Sequence, residues 1–402
     1  MSFVTSERRT LVMKRPSTIS KHAKAALWLP MALAVSAAAQ AEIHFNGFAS
    51  VGGGWIDSDK KDSTYLGYGE EPTFDPDTVF ALQASADIDE KMSVTGQVVA
   101  RGTDNYQAEF SWAYFSYKVQ DDLTVRLGRF RTPFYLYSDY LEVGYAYHWI
   151  RPPVEAYSIP FDSVSGVDVV YQTAFGYWDN TLQFYYGGLN DEYYQNELKT
   201  DLNVETRHQT GLAWTLSRDW FTFRMAYHRA NITIDQFDDA INKQLVAAGL
   251  TSAVAGAVTA PMAIDETLFE FYQVGFRIDW ESYLLAAEST RFEPQDGPAS
   301  RWDRWYVTAG YRISDEVMVH TTYAKAEDNA ANMASRYSSP TLAAIAASAL
   351  SNLADDKESM GLGVRYDFRP GAALKVEWTH VDDHRAGAAD ADLYAFVVDV
   401  VF

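Results

Sequence analysis

Short turns and long connections alternate along this chain, and between them lie segments of about ten residues in which apolar and polar residues themselves alternate. In the last segment, Tyr394, Phe396 and Val398 occupy every second position. A period of two indicates β-strands with one apolar and one polar face. The tight turns fall at 87–90, 120–122, 176–180, 217–219, 279–282, 314–316 and 369–371. The longer connections fall near 56–74, 103–107, 133–161, 189–203, 231–266, 294–301, 328–356 and 384–390.

Seven turns and eight longer connections separate sixteen strands. Short turns on one side, long loops on the other and an even strand count are typical of transmembrane barrels, which close because lipid cannot satisfy a free sheet edge. Tryptophan and tyrosine cluster near the strand ends, as expected for interfacial girdles. We therefore predict an all-β fold, a transmembrane antiparallel β-barrel of about 16 strands over residues 42–402. A soluble β-protein with a large aromatic core is the alternative.

The first 41 residues have the pattern of a cleaved signal peptide. A basic start precedes an apolar stretch at 25–38, and Ala-Gln-Ala at 39–41 forms a cleavage site. Met13 would open a signal of more usual length, and an N-terminal membrane anchor is the alternative. Removing six bases and one acid would change the formal charge from −21 to −26.

Composition excludes several classes of function. An excess of acids argues against nucleic-acid binding, which needs clustered Lys and Arg. The absence of cysteine rules out disulfides and thiolate metal sites. No nucleophile elbow, zinc-protease motif or P-loop occurs, so we predict no enzyme and no cofactor. Asp57, Asp59 and Asp62 could bind Ca²⁺, but their spacing fits no EF-hand loop and favours a solvated surface.

Two long connections contain alanine-rich runs, at 238–259 and 341–355. Their apolar residues recur at helical spacing, and Pro340 precedes the second run, so both are predicted to form short helices. Such helices could cap the outer rim of the barrel, which we favour, or plug the pore.

Three parts of the sequence resemble the Gram-negative porin family. They are the opening strand Ile43–Phe48, the segment Arg126–Phe134 leading into the third long loop, and the alternating C-terminal strand that ends in Phe402. The resemblance implies a sixteen-stranded barrel, usually a homotrimer, that passes small hydrophilic solutes, with the third loop folded inward. It also implies that the outer-membrane assembly machinery recognises Phe402. Because the third loop lacks the Pro-Glu-Phe-Gly run of enterobacterial porins, their constriction geometry is not transferred.

The third loop, residues 133–161, is where we expect the functional site. If it folds into the lumen, its acids face arginines on the barrel wall, and the opposed charges sort solutes by charge and dipole. Arg129 and Arg131 are ambiguous, because strict alternation after Gly128 points them toward lipid unless a bulge reorients them or they lie at the loop mouth. Arg207, Arg224, Arg277, Arg312 and Arg365 also fall on inward faces. The predicted constriction residues are Arg101, Arg126, Arg129, Asp139, Glu142, Glu155 and Asp162.

We accordingly expect a passive diffusion channel of a Gram-negative outer membrane, in contact with lipid and lipopolysaccharide. The acid excess predicts a weak preference for cations. A substrate-specific channel for a sugar or an organic acid is one alternative, because the tyrosines of the third loop could stack on solutes. A non-conducting adhesin or structural barrel is the other, although the inward positions are mostly small or polar.

Overall fold

A computed structural model describes residues 42–195, 197–385 and 387–402 of the protein, so the predicted signal peptide lies outside the described residues. Each strand pairs antiparallel with the next, and β1 pairs with β16 to close the sheet, which confirms the predicted barrel. The strands are β1 Ile43–Ser58, β2 Val79–Asp87, β3 Met92–Arg101, β4 Ala108–Gln120, β5 Leu123–Arg131, β6 Ser163–Phe175, β7 Trp178–Gln195, β8 Thr200–Arg218, β9 Phe221–Asp235, β10 Ile264–Trp280, β11 Tyr283–Pro294, β12 Arg301–Arg312, β13 Val317–Asn329, β14 Asp356–Arg369, β15 Ala372–Asp383 and β16 Ala391–Val401.

Alternation along the strands separates an apolar outer face from a polar inner face. On β16, Phe396 and Val398 are exposed on the outside, whereas Val397 and Asp399 are buried on the inside. Aromatic pairs also form on the outer face, such as Trp55 stacked on Tyr394 with ring centroids 5.5 Å apart. Lipid would cover this surface in a membrane, since it is the apolar band that a spanning barrel presents.

The connections follow the predicted alternation of short turns and long loops, with one difference. Residues 189–203 were expected to form a long loop, but β7 and β8 continue as a paired hairpin from Leu189 opposite Thr206 to Gln195 opposite Thr200. The reason is packing, because Leu202 and Val204 are buried among the loops of the same end of the barrel. Burial of apolar side chains extended the strands beyond the length that a membrane requires.

The two alanine-rich runs form three α-helices within the described residues. They are α1 Phe237–Ala247, α2 Ser252–Thr259 and α3 Pro340–Ser351. The side chain of Thr251 caps α2 by accepting a hydrogen bond from Val254 N, and Pro340 stands at the start of α3, where its missing N–H costs nothing. Within the described part of the chain, no helix is both long enough and apolar enough to cross a membrane.

One apolar cluster, which we term the loop cluster, joins these helices to the third loop. Phe134 and Ile159 of the third loop share it with Ile241 of α1, Val258 of α2 and Leu350 of α3. All five side chains are buried. The helices therefore pack together with the third loop. Whether they only cap the rim, as favoured, or also plug the pore stays a prediction.

Candidate functional site: the third loop and the inner wall

The third loop spans residues 132–162 between β5 and β6, and its backbone bonds to inward side chains across the barrel. Arg224 Nη2 on β9 donates to the Pro133 carbonyl at 2.9 Å, and Arg365 Nη1 on β14 donates to the Tyr145 and Tyr147 carbonyls at 2.8 and 2.7 Å. Irregular backbone inside a barrel needs such partners, because each buried unpaired carbonyl or amide destabilises the fold.

Glu288 on β11 is one anchor of the third loop. Its carboxylate accepts hydrogen bonds from Leu136 N at 2.8 Å and from the Tyr157 hydroxyl at 2.5 Å. Two neighbours on the wall complete the set, with Gln273 Nε2 at 2.9 Å and the Tyr306 hydroxyl at 3.2 Å. A buried carboxylate with four donors is satisfied where it lies, so it holds the start of the loop against β11.

Lys375 on β15 anchors the middle of the loop. Its Nζ donates to the carbonyls of Gly144 and Trp149, both at 2.6 Å, and lies 2.8 Å from Asp399 Oδ2 on β16. The side chains of Lys375 and Asp399 are each 1% exposed. A Cβ at residue 144 would overlap Asp399 Oδ1, so only glycine allows this approach.

Aromatic side chains fill the space between these two anchors. Trp149 packs edge-on against Tyr137 and Tyr306 with centroids 5.3 and 5.5 Å away, and its Nε1 donates to Thr322 Oγ1 at 2.8 Å. The neighbouring His148 lies 3.3 Å from Thr308 Oγ1 through Nε2. Burial, and then the nearby His320, lower the pKa of His148 well below its usual value, so the imidazole is neutral.

Three of the predicted constriction residues meet in one ion cluster. Arg101 Nη2 and Arg131 Nη2 donate to Glu142 Oε1 at 2.7 and 2.9 Å, and Arg131 Nε lies 3.2 Å from Asp162 Oδ2. Burial would raise the pKa of Glu142, but Arg131 and Arg101 outweigh it and lower that pKa below its usual range. Arg131 adds a second cation to this cluster, although strict alternation would have pointed it outward.

Two further predicted residues, Arg126 and Asp139, lie close enough for their charges to interact. Arg126 pairs with Asp168 of β6, and Gln183 Nε2 of β7 donates to the same carboxylate at 2.9 Å. Asp139 is exposed on a 3₁₀ turn of the third loop, Ser138–Tyr140, and its charge acts on both Arg126 and Arg224. Among the described residues, Asp139 has no ion pair.

The expectation for Arg129 and Glu155 is wrong. Arg129 has the outward parity of the exposed Leu127 and pairs with Asp191 at 3.2 Å, whereas Arg131, two residues further on, departs from that alternation and is buried. Glu155 is 2% exposed and accepts from the Tyr65 hydroxyl at 3.2 Å, so it stabilises the packing of two loops and faces no water-filled passage.

The other inward arginines fall into two groups. Arg224, Arg277, Arg312 and Arg365 lie on the inner face, the last three around a cavity of about 330 Å³ next to the third loop. Arg207 is 53% exposed between Glu205 and Glu266, because the irregularity of β8 near Thr210 changes its face. The inward projection of Arg207 is therefore wrong.

Comparisons with known proteins agree on the architecture. A family profile described as Gram-negative porin matches residues 25–332. The anion-selective porin from Comamonas acidovorans is 11% identical, with a TM-score of 0.55, and the match covers 90% of this chain and all of that one (100%). The outer membrane channel DcaP of Acinetobacter baumannii is 11% identical, with a TM-score of 0.55, and the match covers 90% of this chain and 97% of that one. OmpF of Salmonella typhi in complex with daunomycin is 14% identical, with a TM-score of 0.55, and the match covers 90% of this chain and 98% of that one.

No curated protein matches the chain in sequence. At these identities the solved structures support the fold alone, and the family match carries the wider conclusion.

Proposed function

The chain belongs to the Gram-negative porin family and is an outer-membrane channel, and we propose that it passes ions and small hydrophilic solutes by passive diffusion. The observation that carries this proposal is a set of polar side chains on the inner wall between β2 and β7. Gln97 Nε2 donates to Gln83, and Arg126 and Gln183 both bond to Asp168. Gln97, Asp168 and Gln183 are buried, so the partly exposed Arg126 and the exposed Asp139 are the charged groups that would line a water-filled path.

Weak cation preference is the selectivity we propose for this path. Arg101 and Arg126 are each neutralised by a carboxylate, Glu142 and Asp168, so they add little net field. Asp139 carries an uncompensated charge among the described residues, and the loops add a large excess of acids. Negative charge along a pore raises the local concentration of cations.

Single-channel recording in a planar bilayer tests both parts. Ohmic steps that no solute saturates would support passive diffusion, and the reversal potential in a KCl gradient should have the cation-selective sign. Replacement of Asp139→Asn should reduce that preference. The matched control Asp121→Asn removes the same charge in the short turn after β4 and should change it little. A protein that inserts but never conducts, or an anion-selective sign, would overturn the respective part.

Assembly and location follow the family. We propose cleavage after Ala41, insertion through recognition of Phe402, a homotrimeric state and contact with lipopolysaccharide. Support comes from β1, which begins at Ile43, and from Phe402, which exchanges two backbone hydrogen bonds with Gly47 at 2.7 and 2.9 Å where the barrel closes. Deletion of Phe402 should lower the amount of folded protein in outer-membrane fractions while the unfolded form accumulates in the periplasm.

A further inference from the structure

A cavity of about 320 Å³ lies beneath the loop helices at the outer ends of β9 to β12. Ser158 and Phe161 of the third loop, Phe237 of α1 and Ile234 of β9 form part of its lining. We term it the vestibule. Its volume is in the lower range of sites that bind small molecules. Because Ser158 and Phe161 line it, a solute held there would contact the last part of the third loop.

Three aromatic rings form a row along one wall of the vestibule. Phe269 stacks on Phe292 with centroids 5.0 Å apart and planes at 28°, and Phe292 lies 4.7 Å from Trp302 at 30°. The two phenylalanines are buried, but Trp302 at the end of the row is only partly covered. Phe269 and Phe292 belong to the loop cluster, so the partly covered Trp302 is the part of the row that a solute can reach.

The charged groups of the vestibule are already paired. Arg304 lies over the Trp302 ring at 4.4 Å, and its Nη2 contacts Asp328 Oδ2 at 2.7 Å and Asp355 Oδ2 at 3.0 Å. Lys357 Nζ lies 3.4 Å from Asp355 Oδ1. Because each cation already has a carboxylate partner, an incoming anion gains no free positive charge and a solute without charge meets no electrostatic penalty.

From the partly covered Trp302, the volume and the paired charges, we propose that the vestibule binds neutral aromatic solutes of one or two rings, which pack against the edge of Trp302 that Phe292 and Arg304 leave uncovered. This inference rests on the proposed function and deepens it, since it names a solute class that is retained before the constriction. The hydroxyls of Ser158 and Ser300, which also line the vestibule, suit a solute that carries a polar group on its ring.

The test uses three probes that share one phenol ring: tyrosol is neutral, 4-hydroxyphenylacetate is an anion and tyramine is a cation. Each is titrated against the ion current of the whole protein in a planar bilayer. Tyrosol should reduce the current saturably, at a lower half-blocking concentration than either charged probe. Equal effects of the three probes, or a tyrosol effect that never saturates, would overturn the proposal.

Two variants and one control locate the binding. Trp302→Ala should raise the half-blocking concentration of tyrosol by about five- to tenfold, the range expected for one aromatic pair. Ile234→Trp should fill the vestibule and abolish saturation. Trp305→Ala, three residues further on β12 and exposed on the outer face, should change nothing. A Trp302→Ala response equal to that of wild type would refute the assignment. Heat-modifiable migration on a gel verifies that each variant is folded.

A binding measurement without ion flow separates this inference from the proposed function. If the protein does not conduct at all, passive diffusion fails, but saturation-transfer NMR of tyrosol with the protein in lipid nanodiscs still reports binding. A signal in wild type that Trp302→Ala removes would support the vestibule site, and equal signals in both would reject it.

Discussion

The backbone amide of Leu136 donates a hydrogen bond to the carboxylate of Glu288 at 2.8 Å, although 152 positions separate the two residues. This contact joins the first part of the third loop to the opposite wall of the barrel. Glu288 accepts from four donors in all, and two of them, Leu136 N and the Tyr157 hydroxyl, tie separate parts of the third loop to β11.

Replacement of Glu288→Gln should loosen the third loop. Glutamine offers one acceptor oxygen, and its amide group would face donors, so we expect a loss of about 1–3 kcal/mol of stability. Chemical unfolding should show this loss, and single-channel records should show more open-state current noise. The control is Glu293→Gln, on the outer face of the same strand, which should leave noise and stability near wild type.

Removal of the amino group at Lys375 should destabilise the barrel more strongly. Lys375→Met leaves Asp399 buried without its cation, and the carbonyls of Gly144 and Trp149 lose their donor, so the expected cost is about 3–5 kcal/mol. The temperature at which the folded band disappears from a gel should fall. The double variant Lys375→Met with Asp399→Leu should recover part of that loss, and a double variant no more stable than the single one would contradict the account.

Acid should undock the third loop in two stages. Burial lowers the pKa of His148 in the folded protein. Below about pH 6.5 the unfolded form therefore gains a proton that the folded form does not accept, so the free energy of unfolding falls as the pH falls below that value. The lowered pKa of Glu142 gives a contribution that is present above its ordinary value of 4.5 and lost as pH falls through the folded value.

Single-channel records from pH 7.5 to 3.5 follow these two stages. In His148→Gln the stage that begins near pH 6.5 should shrink, because only the buried His228 and His320 remain to contribute to it, while the more acidic stage is unchanged, because Glu142 and its arginines are intact. A variant whose first stage is as large as that of wild type would show that His148 does not contribute to it.

Freeing Arg126 should shift ion selectivity toward anions. Asp168→Asn leaves that guanidinium unpaired beside the path, and one unit charge at close range in water changes the energy of an ion by about 1 kcal/mol, so the cation-to-anion permeability ratio should fall several-fold. The reversal potential in a KCl gradient measures the change. Asp179→Asn, at the turn end of β7, removes the same charge outside the path and should leave the ratio nearly unchanged.

Alternation and connection length were enough to predict the barrel, because each strand must present one face to lipid and one to the lumen. The alternation along the strands also predicted that Arg101 and Arg126 face the lumen, and it pointed Arg129 toward the outer face. It could not give the partner of any residue. Asp168 stands on an inward face and Arg126 opposite it, but only the register of β5 and β6 reveals the pair.

The anchors of the third loop could not be predicted from the sequence. Glu288 and Lys375 occupy inward positions as many solvated wall residues do, and their role depends on where a loop more than a hundred positions away places its carbonyls and amides. Glu155 shows the opposite error, since an acid in a loop with many tyrosines was expected to face the lumen and is instead buried against Tyr65.

The loop cluster has a consequence for how this protein can vary. Surface loops of outer-membrane proteins meet phages and antibodies and ordinarily diverge freely, since loops tolerate substitution and insertion. Here α1, α2 and α3 share a buried interior with Phe134 and Ile159 of the third loop. A substitution in the interior of one of these helices would therefore also disturb the segment beside the pore, so these outer loops cannot vary independently of the third loop.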